Sequence, residues 1–288
     1  MRRSCWSARR AGAAGPPGRV HVPQTVRASQ APNGLNVRID RVRIGGLALR
    51  TWTTWIQETD DVPVADRRDI VLVHGLGVSS EYFERLAVHL GRVGAVHLLD
   101  LPGFAGVPRP DRHLEIDDFA RLIARWVEHV GLERPTFLGH SMGSQIVTEV
   151  LASHPGIASH AVLIGPPVNA QERSVPRQAL RLLQSSVHES PRTRGIALRG
   201  YVECGPHWFA QVLPRMLRYP IEDRLPAVDV PVLVVRGEHD HVAPRAWAQL
   251  LADAAPDGRW VEIAGASHAV IYEHSRQVGD LVLEHVRR

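Results

Sequence analysis

Apolar residues in this chain follow two alternating rhythms. Short uninterrupted runs stand at Ile70–Val73 and at 96–99, 136–138, 161–164, 232–235 and 260–263. Such runs suit parallel strands covered on both faces, which have no solvent side to alternate toward. Between the runs, apolar residues recur every three or four positions, the spacing of a helix with one buried stripe. Tyr82, Phe83, Leu86, Ala87 and Leu90 form one such stripe, with Ser79 or Ser80 as the cap. Ile116, Phe119, Ala120, Ile123, Trp126, Val127 and Val130 form a fuller one. Its first turn carries Glu115, Asp117 and Asp118, which suit the positive end of the helix dipole, and Gly131 stands where it should stop. Ile146, Val147, Val150 and Leu151 mark a third helix ended by Pro155, and Val278, Leu281, Val282 and His285 a last one.

Ahead of this alternation, two β-rich runs at 37–44 and 47–55 are split by Gly45-Gly46 and read as a hairpin, followed by a polar loop over 57–69. Strands alternating with helices predict an α/β protein built on a doubly wound sheet, with its ligand site beyond the carboxyl ends of the strands. The alternation lapses between Gly165 and Pro226, where helical fragments occur without strand runs. That stretch is too long for a plain loop. The expected organisation is a core of 36–165 and 227–288, a helical cap inserted over 166–226, and a tail of 1–35 without order.

The 288 residues include 34 basic side chains, all arginine, against 30 acids. Six arginines and no acid fall in residues 1–35, so the remainder sets 28 arginines against 30 acids, a net charge of −2. The folded part therefore lacks the basic surface that nucleic acid requires. The tail has no apolar segment long enough for a secretory signal, and its twin arginines, Arg2-Arg3 and Arg9-Arg10, lack the apolar region an export signal needs. No run approaches a membrane span. Cys5 and Cys204 make neither a disulfide framework nor a zinc site. These features point to a cytoplasmic protein acting on a small molecule, with no metal, nucleic-acid or membrane partner; monomer and homodimer both stay open.

The chemistry gathers just after the apolar runs. Gly139-His140-Ser141-Met142-Gly143 follows one run and opens a helix, the strand–turn–helix context a nucleophilic serine needs. A serine hydroxyl requires a base. Of the 16 histidines, His268 follows the last run through a short loop of small residues, whereas His274 and His285 fall in the final helix. The imidazole requires a carboxylate to fix its tautomer. Asp240 lies past the 232–235 run; Glu238 is its rival, and the loop after Ile164 offers no carboxylate. Backbone N–H groups of Leu76, in His74-Gly75-Leu76-Gly77, and of Met142 are the candidate donors to an oxyanion. His74, Trp208, Phe209 and Met216 are the candidate substrate contacts; the last three read equally as core of the inserted helices, and His74 more readily as a strut for its loop.

With these residues in view, the chain resembles the α/β-hydrolase superfamily. The matching pieces are His74-Gly75, Asp100-Leu101-Pro102-Gly103, Gly139 to Gly143, Gly237-x-x-Asp240 and Ser267-His268, spread over 37–288. The resemblance is to the branch holding carboxylesterases, meta-cleavage-product hydrolases and cofactor-free haloperoxidases. It implies an eight-stranded, mostly parallel twisted sheet, a cap after the sixth strand and no cofactor. One departure is Phe104-Ala105-Gly106, where many relatives carry Gly-x-Ser. Three functions follow as expectations: hydrolysis of an apolar ester through an acyl-enzyme, hydrolysis of a C–C bond in a vinylogous diketone acid, and ligand binding without turnover.

Overall fold

The computed structural model describes residues 26–30, 35–56 and 68–288. Their order is β1 (Val26–Gln30), β2 (Leu35–Ile44), β3 (Leu47–Ile56), β4 (Ile70–Val73), a 3₁₀ turn (Ser80–Phe83), α1 (Glu84–Leu90), β5 (Val96–Asp100), α2 (Ile116–Val130), β6 (Thr136–His140), α3 (Met142–Ser153) and β7 (His160–Ile164). After β7 come α4 (Val175–Ser186), α5 (Pro191–Cys204), α6 (Pro206–Arg218) and α7 (Ile221–Arg224). The chain then returns to the sheet with β8 (Val232–Gly237), α8 (Arg245–Ala254), β9 (Gly258–Ile263), α9 (Val270–Glu273) and α10 (Ser275–His285).

One sheet organises these elements, in the order β1-β2-β3-β5-β4-β6-β7-β8-β9. The first three strands are antiparallel to their neighbours, and β4 to β9 run parallel. Eight of the nine strands are those expected. The ninth, β1, corrects the reading of 1–35 as uniformly without order: Val26 pairs with Ile39 and Gln30 with Asn36. An edge strand requires only backbone partners, so apolar periodicity gives no sign of it. Residues 1–25 and 31–34 of that tail, and 57–67 of the polar loop, lie outside the described residues.

The hairpin of β2 and β3 turns on Gly45 and Gly46, whose φ angles of 57° and 84° only glycine adopts freely. Every residue of β4, β5, β6 and β8 is buried, as strands covered on both faces must be. Their side chains alternate between two cores. Val71, Val73, Phe137, Val232 and Val234 pack with α2, α3 and α8, while Ile70, Leu72, Leu138, Leu233 and Val235 pack with α1 and α10. Helix α2 is fixed at both ends: Glu115 and Asp118 form a reciprocal capping box, and Gly131 closes it at φ 71°. One expected helix begins later than its stripe. Ser79 caps a 3₁₀ turn that holds Tyr82 and Phe83, and α1 proper starts at Glu84. Among the described residues no helix is long and apolar enough to cross a membrane.

Candidate active site

Strand β6 delivers Ser141 onto a turn with φ 53° and ψ −125°, a backbone region costly for any residue but glycine. The surroundings impose it. The Ser141 N–H donates to the Ile164 carbonyl at 2.9 Å, and the Ser144 N–H donates to the Ser141 carbonyl at 2.8 Å. A Cβ on Gly139 would collide with the Gly143 carbonyl, and one on Gly143 with that of Val73. The two flanking glycines therefore allow the turn to close. Ser141 makes no side-chain cap for α3, so its hydroxyl is not consumed as a helix cap would consume it. Met142 is the first residue of α3, where helix geometry leaves the amide without an intrahelical acceptor.

Beyond β8, Asp240 is buried, and its Oδ1 accepts from the Val242 and Ala243 amides at 2.9 and 3.0 Å. The loop after β9 brings His268 against it, Nδ1 to Oδ2 at 3.0 Å. Burial alone would push the Asp240 carboxyl up, but the facing imidazole and the hydrogen bonds outweigh it and hold the group below the usual carboxylate range. Burial likewise drives His268 down, and the Asp240 carboxylate more than offsets it, so the imidazole titrates above 6.5. Glu238, the rival acid, is exposed and accepts from the Gly265 amide at 2.8 Å. His274 precedes α10, while buried His285 points Nε2 at the Pro231 carbonyl, 3.2 Å away.

Ser141 and His268 line one cavity of 190 Å³. Leu76 lines it too, and α4 and α6 supply Ala179, Leu182, Phe209, Leu213 and Met216. Gln178 and Tyr201 bring the other polar side chains, and no charged side chain is among the lining residues. The four expected substrate contacts thus divide. Phe209 and Met216 face the cavity. Trp208 does not: it is buried beneath Gly103, with its ring 6.3 Å from that of Phe104. His74 does not either. It is fully buried, donating from Nδ1 to the Gly75 carbonyl at 2.8 Å and accepting at Nε2 from the Leu101 amide at 3.2 Å. Neutral and held by burial below its ordinary pKa, it braces the Leu76 loop against the loop after β5. A larger cleft of 790 Å³ between the hairpin and α1 is lined by Arg50, Trp52 and Ser79 and contains neither Ser141 nor His268.

Sequence reasoning overlooked several residues of this site. Gly165, just past β7, has φ 52°, and a Cβ there would stand 2.9 Å from Asp240 Oδ2 and 3.0 Å from His268 Nδ1. Its signal was present, a glycine after a strand in the loop set aside for lacking a carboxylate. His140 donates from Nε2 to the His268 carbonyl at 2.9 Å, and burial takes its pKa down to about 3. Arg236 braces the Asp240 loop, donating to the Asp240 and Ala243 carbonyls at 3.0 and 2.8 Å.

A sequence profile described as an alpha/beta hydrolase family matches residues 70–281. A pimeloyl-[acyl-carrier protein] methyl ester esterase of Edwardsiella ictaluri is 28% identical over 240 residues, 73% of this chain and 90% of the relative. A monoacylglycerol lipase of Mycolicibacterium smegmatis is also 28% identical, over 84% of this chain and 92% of the relative. Among solved structures, the enol-lactonase from Burkholderia xenovorans superposes with a TM-score of 0.73 at 20% identity, covering 85% of this chain and 98% of that one. At that identity the likeness shows the fold alone.

Proposed function

The chain belongs to the alpha/beta hydrolase family, and on that premise we propose that it is a serine hydrolase cleaving small or medium uncharged esters through an acyl-enzyme. The observation that carries the reading is the opening of Ser141 and the Asp240-held His268 onto one cavity without charged lining. With Nδ1 occupied by Asp240, the Nε2 of His268 is the nitrogen left for the serine hydroxyl.

In this mechanism Nε2 takes the Ser141 proton as Oγ bonds to the ester carbonyl carbon. The Leu76 and Met142 amides receive the negative charge on the carbonyl oxygen. Collapse breaks the bond to the alkoxy oxygen, which leaves as an alcohol with the proton from His268. A water molecule, deprotonated by His268, then attacks the acyl-enzyme and releases the acid and free Ser141. Asp240 keeps its charge throughout and stabilises the imidazolium. Helices α4 to α7 serve as a cap whose side chains select the substrate.

The relatives support ester chemistry, since one is an ester esterase and another a lipase. Cleavage of a C–C bond in a diketone acid would call for an arginine facing the substrate carboxylate, and no arginine lines the cavity. The test is a series of p-nitrophenyl esters of rising acyl length, run beside a vinylogous diketone acid. Turnover of the uncharged short and medium esters is expected. Turnover of the diketone acid alone would replace this reading with C–C hydrolysis, and binding without any turnover would make the protein a receptor.

A further inference from the structure

Glu189 sits in the turn between α4 and α5, far in sequence from the other groups around Ser141, yet it is almost wholly buried. Its carboxylate reaches the loop that carries His268 from both sides. Ser267 donates from Oγ to Oε1 at 3.5 Å, and the Ala269 amide hydrogen-bonds to the same group. The turn is tied down around it. Ser185 Oγ accepts from the His241 amide, next to Asp240, at 2.9 Å. The Ser190 amide and Thr193 Oγ1 donate to Glu273 at 2.7 and 2.6 Å. The inserted helices are thus docked on the Asp240 loop, the His268 loop and α9 together.

We propose that Glu189 is a positioning residue for His268, a second carboxylate that stabilises the imidazolium and couples the inserted helices to the catalytic base. The proposal rests on the hydrolase reading. A buried carboxylate is costly unless a positive charge faces it. Burial pushes the Glu189 carboxyl up, and His268 is the group that most favours its ionised form. With His268 neutral, the carboxylate lacks a strong partner; once His268 takes the serine proton, it has one. An interaction that strengthens as the proton moves lowers the barrier rather than merely tightening binding. The other titratable groups around the pair are Asp240 and His140 beside His268, and Glu273, Tyr82 and Tyr201 beside Glu189. Asp240, together with Glu189 itself, raises the basicity of His268, and His140 stays neutral.

The test is the pH dependence of Ser141 phosphonylation by a fluorophosphonate, with the His268 imidazole titrated in parallel by NMR. Glu189→Gln keeps the shape and the acceptor oxygen but removes the charge. A negative charge raises the pKa of the imidazole, so its loss moves the acid limb and the imidazole titration to lower pH, by about one unit. The plateau rate falls by up to about tenfold. Glu189→Asp retracts the charge and gives a smaller shift of the same sign. A purely structural strut would lower the rate at every pH and leave both midpoints in place. Either variant, folded and with His268 titrating as in the native chain, overturns the proposal. A native chain that takes no label at Ser141 would instead sink the hydrolase reading, and the imidazole titration would still decide the role of Glu189.

Discussion

Strand β6 and helix α4 both carry large apolar residues, but every residue of β6 is buried, whereas Leu180 and Leu183 of α4 are 53% and 64% exposed. The contrast extends through both regions. The parallel strands have helices on either face and therefore one arrangement that hides their side chains. The inserted helices rest on the carboxyl edge of the sheet and turn one side to it. Six of the nine large exposed apolar residues among the described ones fall between Val175 and Val202. Within the insertion, adjacent positions take opposite parts: Trp208 is core, whereas Phe209 faces the cavity. Under the proposed hydrolase reading, such a fold would separate machinery fixed by the sheet from a substrate-selecting region under weaker packing constraint.

That separation can be tested, beginning with the largest effect. Asp240→Asn should lower kcat by about 10⁴-fold with little loss of Tm, because the amide favours the wrong imidazole tautomer. In the proposed mechanism His268 must be neutral to accept a proton, and the facing Asp240 carboxylate raises its pKa above the ordinary 6.5. Activity should therefore fall as pH drops through a midpoint above that value, and Asp240→Asn should move the midpoint down. Trp208→Ala should cost about 3–5 kcal/mol in denaturant unfolding, since it empties a site packed against Gly103 and Phe104. Gly165→Ala forces a Cβ against Asp240 and His268 at a φ of 52°. A displacement of about 1 Å there should cost roughly a hundredfold in kcat/KM. Leu183→Ala, on the open side of α4, should change stability by under about 0.5 kcal/mol. A Leu183 effect as large as that of Trp208 would mean that the exposed face is covered in solution and would break the contrast.

The same physical difference decided what the sequence could reveal. A strand buried on both faces favours an apolar run, so the centres of β4, β5, β6, β7 and β8 were legible from the run pattern. Ser141 and Asp240 each follow such a run, and His268 follows the apolar run of β9, an edge strand that is mostly part-buried. Edge strand β1 needs only backbone partners and left no side-chain signature. Glu189 belongs to no motif, and its place beside His268 depends on how a turn in the insertion folds back over distant loops, which no local spacing records. His74 was read as a substrate contact or, more readily, a strut for its loop, and Trp208 as an apolar residue of the insertion that could line a pocket or pack as its core. The structure turns both inward, one as a strut between two loops and the other into the core.

Hydrolysis through an acyl-enzyme requires Ser141 to be the nucleophile. The decisive measurement is mass-spectrometric mapping of the native chain after reaction with a fluorophosphonate, beside Ser141→Ala as the control. One covalent adduct on the peptide containing Ser141, formed faster as pH rises past the His268 midpoint and absent from the variant, is the expected result. A folded native chain that stays unmodified, or one modified at a different residue, would contradict the account.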